Sequence, residues 1–278
     1  MIFEAGIGAT SLSWQLVWPE VAKFARVCVY DRAGLGWSDP SPDPRTIANV
    51  VRDLRALLTN ASVPGPYILV GHSFGGLAVY EYAYEHRENI AGLVLVDPLT
   101  AAEWRPVVPE EAANLRRGVQ LSRRGALLAR LGVVRLSLDL LQAGSRAIPQ
   151  LAARISSGNG SKLTERLVGE VRKLPPEVWP VVQSHWCQPK SFRSMADHLE
   201  SLPASAAACS TGCDMGDVPV LVLSAAQADS TRGVGHSEMA SELIVAERSG
   251  HWIQLDEPEL VIAAIHRLSH ALGVAEHR

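Results

Sequence analysis

The stretch Tyr67–His86, reading YILVGHSFGGLAVYEYAYEH, constrains the fold more than any other part of the chain. Tyr67–Val70 is an unbroken apolar run of strand length, as expected for a strand covered on both faces. Gly75–His86 can form a helix, and only a few residues separate the two. Such a passage requires a sharp turn, with the helix returning close to the strand it leaves. Gly71, Gly75 and Gly76 remove the side-chain bulk that would prevent it. A bare G-x-S-x-G arises often by chance, but one placed between a buried strand and a helix is specific. Ligands of open α/β sheets bind beyond the carboxyl ends of the strands. The turn therefore predicts that Ser73 stands above that edge.

The same alternation runs through both ends of the chain. Val27–Tyr30, Gly92–Val96, Pro219–Leu223 and Leu243–Glu247 read as strands. Ile47, Val50, Val51, Leu54, Leu57 and Leu58 recur at helical spacing. A last helix is expected from about Glu257 to Leu272, with Asp256 as its N-cap and Glu259 three residues on. Strands alternating with helices imply βαβ units and an α/β fold, a mostly parallel central sheet with helices on both faces.

Residues 99–208 break the rhythm. ANLRRGVQLSRRGALLARLG and LTERLVGEVRKL read as amphipathic helices with arginines on the polar side. Residues 101–200 carry 15 Lys and Arg against 9 Asp and Glu, whereas the rest of the chain carries 11 against 20. This division predicts a core of residues 1–98 and 209–278 and a helical insertion over 99–208. The basic face of the insertion reads as solvated.

A serine nucleophile needs a base. His251, in SGHWIQLDEPE, follows the strand Leu243–Glu247 and can reach the edge where Ser73 stands. His72 adjoins the serine in sequence but is expected to point away, into packing. His185, His198 and His236 lie in or beside the insertion and are expected at the surface or as satisfied polar groups. His266, His270 and His277 lie in or past the last helix and are expected to be solvated.

Four segments, DRAGLGWSDP (Asp31–Pro40), GHSFGG (Gly71–Gly76), LVLVDP (Leu93–Pro98) and SGHWIQLDEP (Ser249–Pro258), make the chain resemble serine hydrolases of the α/β-hydrolase family, of the bacterial esterase and lipase kind with a helical cap. The resemblance covers residues 1–100 and 217–275, and the insertion corresponds to the cap. It implies Ser73 as nucleophile and His251 as base, in the family's order of Ser, Asp, His. It also implies an oxyanion hole from the amide following the nucleophile, Phe74, and one in the loop after the first parallel strand. That loop is Ala5-Gly6-Ile7-Gly8, and Ile7 is taken as the second donor.

Two positions remain open for the acid. Many relatives place it after the strand Pro219–Leu223, where Asp229 is the carboxylate. Lipase and dehalogenase branches place it where Asp97 stands, 24 residues after the nucleophile. Asp97 is preferred, because it ends a strand beside that of Ser73, whereas Asp229 lies in a loop of small residues. An Asp before Pro98 also commonly starts a turn. Asp31 and Arg32 read as bracing the loop beside the first strand.

The resemblance implies a two-step hydrolysis of a small carboxylic ester with no metal or organic cofactor. A serine argues against epoxide or halide chemistry, since the related enzymes attack with an aspartate. Amide or C–C cleavage, perhydrolysis, acyl transfer and a non-catalytic small-molecule receptor are the alternatives. Family members begin with a β-hairpin before the strand that opens this chain, so a sheet edge is expected to be exposed, or a segment carrying an anchor or signal to precede Met1. Otherwise a cytoplasmic protein is expected, because no basic stretch followed by a long apolar one marks a leader. The net charge of −3 argues against a nucleic-acid partner. No apolar run approaches the roughly 20 residues that span a bilayer, so membrane contact is not expected. Cys209 and Cys213, in CSTGC, lack a second Cys or His pair and read as a loop with two thiols.

Overall fold

The computed structural model describes residues 1–104, 109–142, 173–209, 215–226 and 230–273. Among them six parallel strands form one sheet: β1 (Ile2–Glu4), β2 (Cys28–Val29), β3 (Tyr67–His72), β4 (Ile90–Val96), β5 (Val220–Ala225) and β6 (Glu242–Ala246). Their order is β2-β1-β3-β4-β5-β6. Successive side chains of a strand point to opposite faces, which explains the continuous apolar runs. Ile68, Val70, Val94, Val96, Leu221 and Leu223 join one core cluster. Their neighbours Leu69, Leu93, Leu95, Val220 and Val222 join the other.

Helices cover both faces. On the first lie α1 (Trp18–Val21) and, through Val261, Ala264, Ile265 and Leu268, the C-terminal helix. On the second lie α2 (Ile47–Asn60) and α3 (Phe74–Glu85), through Val51, Leu54, Leu58, Val79, Tyr80 and Ala83. The Thr46 side chain accepts the Asn49 N–H at 3.3 Å and caps α2.

Between β4 and β5 every described element is helical. After a 3₁₀ turn at Ala101–Trp104 come α4 (Pro109–Arg130), α5 (Val133–Gln142), α6 (Trp179–Trp186) and α7 (Pro189–Ala208). The expected helix LTERLVGEVRKL lies outside the described residues except for Lys173 and Leu174. Leu202 and Ala206 of α7 pack on Phe74, Leu77 and Ala78 of α3, so the insertion sits directly over the helix that follows Ser73. Arg116, Arg117, Arg123, Arg124 and Arg130 of α4 are exposed.

The remaining helices are α8 (Ser230–Met239), which no sequence pattern indicated, the short α9 (Ile253–Asp256) and α10 (Pro258–Ala271). Asp256 is therefore not the cap of the last helix. It ends α9, its carboxylate accepts the Gly250 N–H at 3.1 Å, and α10 starts at Pro258 with Glu257 before it. Proline suits a first helical position because the amide it lacks would have no partner there. Among the described strands the sheet's edges are β2 and β6, and β1 is paired on both sides.

Candidate active site

The turn at Ser73 has the strained geometry that its sequence implies. Ser73 has φ 54°, in a region that favours glycine, and is almost buried. A β-carbon on Gly75 would lie 2.4 Å from the Glu4 carbonyl oxygen, so α3 starts directly against the end of β1. The Ser73 carbonyl accepts the amides of Gly76 and Leu99, at 2.9 and 3.0 Å, which ties the turn to the chain leaving β4.

His251 stands over this turn in the loop between β6 and α9. Its Nε2 lies 2.9 Å from Ser73 Oγ and its Nδ1 lies 2.5 Å from Asp97 Oδ2. A carboxylate can only accept, so Nδ1 carries the hydrogen there and Nε2 presents its lone pair to the serine hydroxyl. Asp97 is buried at the end of β4 with φ 41°. Its Oδ1 accepts the Ala225 N–H at 3.0 Å, and its own N–H donates to Leu223 O at 2.7 Å. The carboxylate is thus held by the neighbouring strand. Asp229, the other candidate acid, lies outside the described residues.

His72 packs beneath the pair and not into it. Its ring lies 4.7 Å from that of His251 and 4.8 Å from that of Trp252, and its Nε2 meets the His251 carbonyl at 2.8 Å. Behind the loop, Glu257 accepts the Arg248 N–H at 2.9 Å and the Ser249 hydroxyl at 2.7 Å. Those hydrogen bonds, that from Ser249 foremost, hold its carboxyl below the usual range.

The loop Ala5–Gly8 lies beside the serine, since a β-carbon on Gly6 would be 3.4 Å from Ser73 Cβ. Ile7 packs against the cluster of Phe74, Leu77 and Ala78. The Phe74 amide is the first of α3 and has no intrahelical acceptor. Arg32 braces the loop, as its sequence position suggests, donating to Glu4 Oε1, to Ala5 O and, at 2.5 Å, to Gly6 O. Tyr30 OH donates to the other oxygen of Glu4. Glu4 was not recognisable as part of this region from pattern alone, yet a carboxylate in a strand as apolar as IFE demands a buried cation, and Arg32 supplies it.

His198, His185 and His236 are buried; His198 and His236 are satisfied polar groups, as one of the two expectations had it, whereas neither ring nitrogen of His185 meets a hydrogen-bond partner among the described residues. His236 meets Ser224 Oγ and Pro98 O, both at 2.8 Å. His198 meets Arg32 Nε at 3.2 Å, and burial followed by that guanidinium pushes its pKa down to about 3. His185 lies edge-on to Trp37, with ring centroids 4.4 Å apart. Cys209 is buried, and Cys213 lies outside the described residues. Among the described residues no group of three or more His, Cys, Asp or Glu side chains could hold a metal ion.

A hydroxyl, an imidazole and a carboxylate in one hydrogen-bonded row can move a proton from the hydroxyl as it attacks an electrophile. The profile of the alpha/beta hydrolase family matches residues 1–264. The chain belongs to that family. Residues of this α/β hydrolase also align with the uncharacterized protein YqjL of Bacillus subtilis, 37% identical over 98 residues. That match spans 35% of this chain and 39% of YqjL, well short of the relative's full length. The epoxide hydrolase CorEH has the same fold at a TM-score of 0.71 and 17% identity, covering 98% of this chain and 91% of that one. A thermophilic esterase from Thermogutta terrifontis superposes at 0.63 and 21%, covering 98% and 89%. At these identities the solved structures establish fold alone.

Proposed function

We propose that this α/β hydrolase cleaves a small carboxylic ester through an acyl-enzyme on Ser73. The observation that carries the reading is the row from Ser73 Oγ through His251 to Asp97, at 2.9 and 2.5 Å, above the ends of β3 and β4. Ser73 Oγ attacks the carbonyl carbon while His251 Nε2 takes its proton. The imidazolium gives that proton to the departing alcohol. Water then attacks the acyl-enzyme, losing a proton to His251, and Ser73 leaves with it. Asp97 holds the required tautomer and stabilises the imidazolium.

The Phe74 and Ile7 amides receive the charge that develops on the carbonyl oxygen. Losing one such donor costs about 10² to 10³ in rate. The hydroxyl also favours an acyl over an alkyl electrophile. Opening an epoxide with Ser73 would leave an ether, which water does not cleave under these conditions, whereas an ester intermediate turns over.

The test uses p-nitrophenyl esters of increasing acyl length, read by burst and steady-state kinetics. A burst followed by turnover is expected. Ser73→Ala is expected to abolish turnover and fluorophosphonate labelling while circular dichroism stays unchanged. Labelling of the alanine variant, or ester binding without product release by the wild type, would overturn the reading.

A further inference from the structure

Arg32 does more than neutralise Glu4. Its side chain is 3% exposed, and four acceptors surround its fork: Glu4 Oε1, Ala5 O, Gly6 O and His198 Nε2. Three belong to the end of β1 and the loop beside Ser73. The fourth belongs to α7, in the insertion, 166 residues away in sequence. His198 can accept there because its Nδ1 lies 2.7 Å from the Ser194 carbonyl and so carries the ring hydrogen. The Phe74 ring closes the arrangement, with the guanidinium carbon 5.3 Å from its centroid and the His198 ring edge-on at 5.2 Å.

The consequence follows from peptide geometry. Gly6 O and the Ile7 N–H are the two ends of one trans peptide unit and point in opposite directions. A guanidinium that holds Gly6 O therefore fixes the direction of the Ile7 N–H. Holding Ala5 O in the same fork leaves the preceding peptide little freedom to compensate. Arginine is suited to this, because its planar fork presents several donors in fixed directions, which an ammonium cannot. Ala5 and Gly6 are both buried, and the Ala9 N–H also reaches Gly6 O, at 3.2 Å, so the fork and the turn hold the same peptide.

We infer that Arg32 is a positioning residue that aims the Ile7 amide at the reacting carbonyl oxygen, and that His198 makes this aim depend on the docked position of the helical insertion. The inference rests on the ester-hydrolase reading above. It assigns the insertion a part in rate, through α7, besides any part in covering the substrate.

The experiment compares wild type, Arg32→Lys, His198→Gln and His198→Leu, each with active sites counted by fluorophosphonate titration. Arg32→Lys is expected to lower kcat per titrated site by about 30- to 100-fold with KM within about threefold, as for loss of a transition-state donor. A trifluoromethyl ketone, whose hemiketal adduct with Ser73 carries the oxyanion, should weaken by the same factor as kcat/KM. His198→Gln keeps an acceptor for Arg32 Nε and should stay within about threefold of wild type, whereas His198→Leu should lose about tenfold. A merely structural role would reduce the number of titratable sites and leave kcat per site and ketone affinity unchanged, and that result overturns the inference. If the wild type turns over no ester, the ester-hydrolase reading fails by itself. The rates of Ser73 phosphonylation in the same four proteins then decide the role of Arg32, because that step also places charge on an oxygen beside Ile7.

Discussion

At the scale of single residues, two adjacent strand ends carry strained backbone. Ser73 and Asp97 both have positive φ without being glycine, at 54° and 41°. Such conformations cost of order 1–3 kcal/mol each and persist only where the surroundings over-determine them. Here the surroundings are visible: Ser73 O accepts from Leu99, and Asp97 N donates to Leu223 O. The strain presents the hydroxyl and the carboxylate to opposite nitrogens of His251. Asp97→Asn would offer Nδ1 a group that no longer favours the working tautomer or the imidazolium. It is expected to lower kcat by at least ~10³, within the range for such residues, with the fold kept. Asp229→Asn is expected to lower kcat by less than about tenfold. Measuring both on one ester decides between them, and an active Asp97→Asn beside a dead Asp229→Asn would reverse the assignment.

At the scale of elements, α7 is the joint between insertion and core. Its Ser205 hydroxyl accepts the Ile47 N–H at 3.0 Å, its Ser194 hydroxyl donates to Ala33 O at 2.9 Å, and His198 meets Arg32. This joint should weaken in acid. Folded His198 stays neutral down to about pH 3, because burial, Arg32 and Arg45 oppose its charge and only the Ser194 carbonyl favours it. In the unfolded chain it takes up a proton near pH 6.5. Below that pH the unfolded state binds more protons, so stability falls as pH drops from about 6.5 towards 3. By pH 5 the loss is about 2 kcal/mol. Buried His185, shifted the same way by burial, adds in the same sense. Denaturant unfolding at pH 7.5 and pH 5 should show the loss in wild type and a smaller one in His198→Gln. Equal pH slopes would mean that His198 is not the group responsible.

At the scale of the whole molecule, the parallel sheet leaves two edges, β2 and β6. β2 is two residues long and offers little to pair with. β6 is longer and exposes Leu243 and Val245 at 40% and 48%. A flat apolar edge invites pairing with another chain, and natural sheets often place a lysine there. Val245→Lys is expected to reduce aggregation on concentration or mild heating, read by light scattering, with kcat unchanged. The reason for unchanged kcat is that Val245 is exposed at the sheet edge, while the loop carrying His251 is held by Glu257, which accepts the Arg248 N–H and the Ser249 hydroxyl. Faster aggregation of the lysine variant would remove β6 as the cause.

Much of this could be read from the chain because it depends on local order. Buried strands announce themselves as apolar runs, and α2 by its helical spacing, since each residue's face is set by its position in the element. The turn at Ser73 was legible because the helix must return close to the strand it leaves, which excludes β-carbons there: one on Gly71 would lie 2.6 Å from the Gly75 carbonyl oxygen. Strand ends were less so: β3 runs on through Gly71 and His72, because pairing with Leu95 and Val96 of β4 extends it beyond the apolar run. The choice of Asp97 as the partner of His251 needed the tertiary structure, since 154 residues separate them and only the sheet order brings them to 2.5 Å. Glu4 and Arg32 left a trace, a charge in an apolar strand that required an opposite charge. His198 left none, because a histidine on an amphipathic helix reads the same whether it faces water or a buried guanidinium. The sequence by itself determined the elements and the strained serine turn, both products of backbone sterics and side-chain periodicity. Only the tertiary structure decided which distant polar groups share a low-dielectric interior, because burial and partnership are properties of the assembled layers.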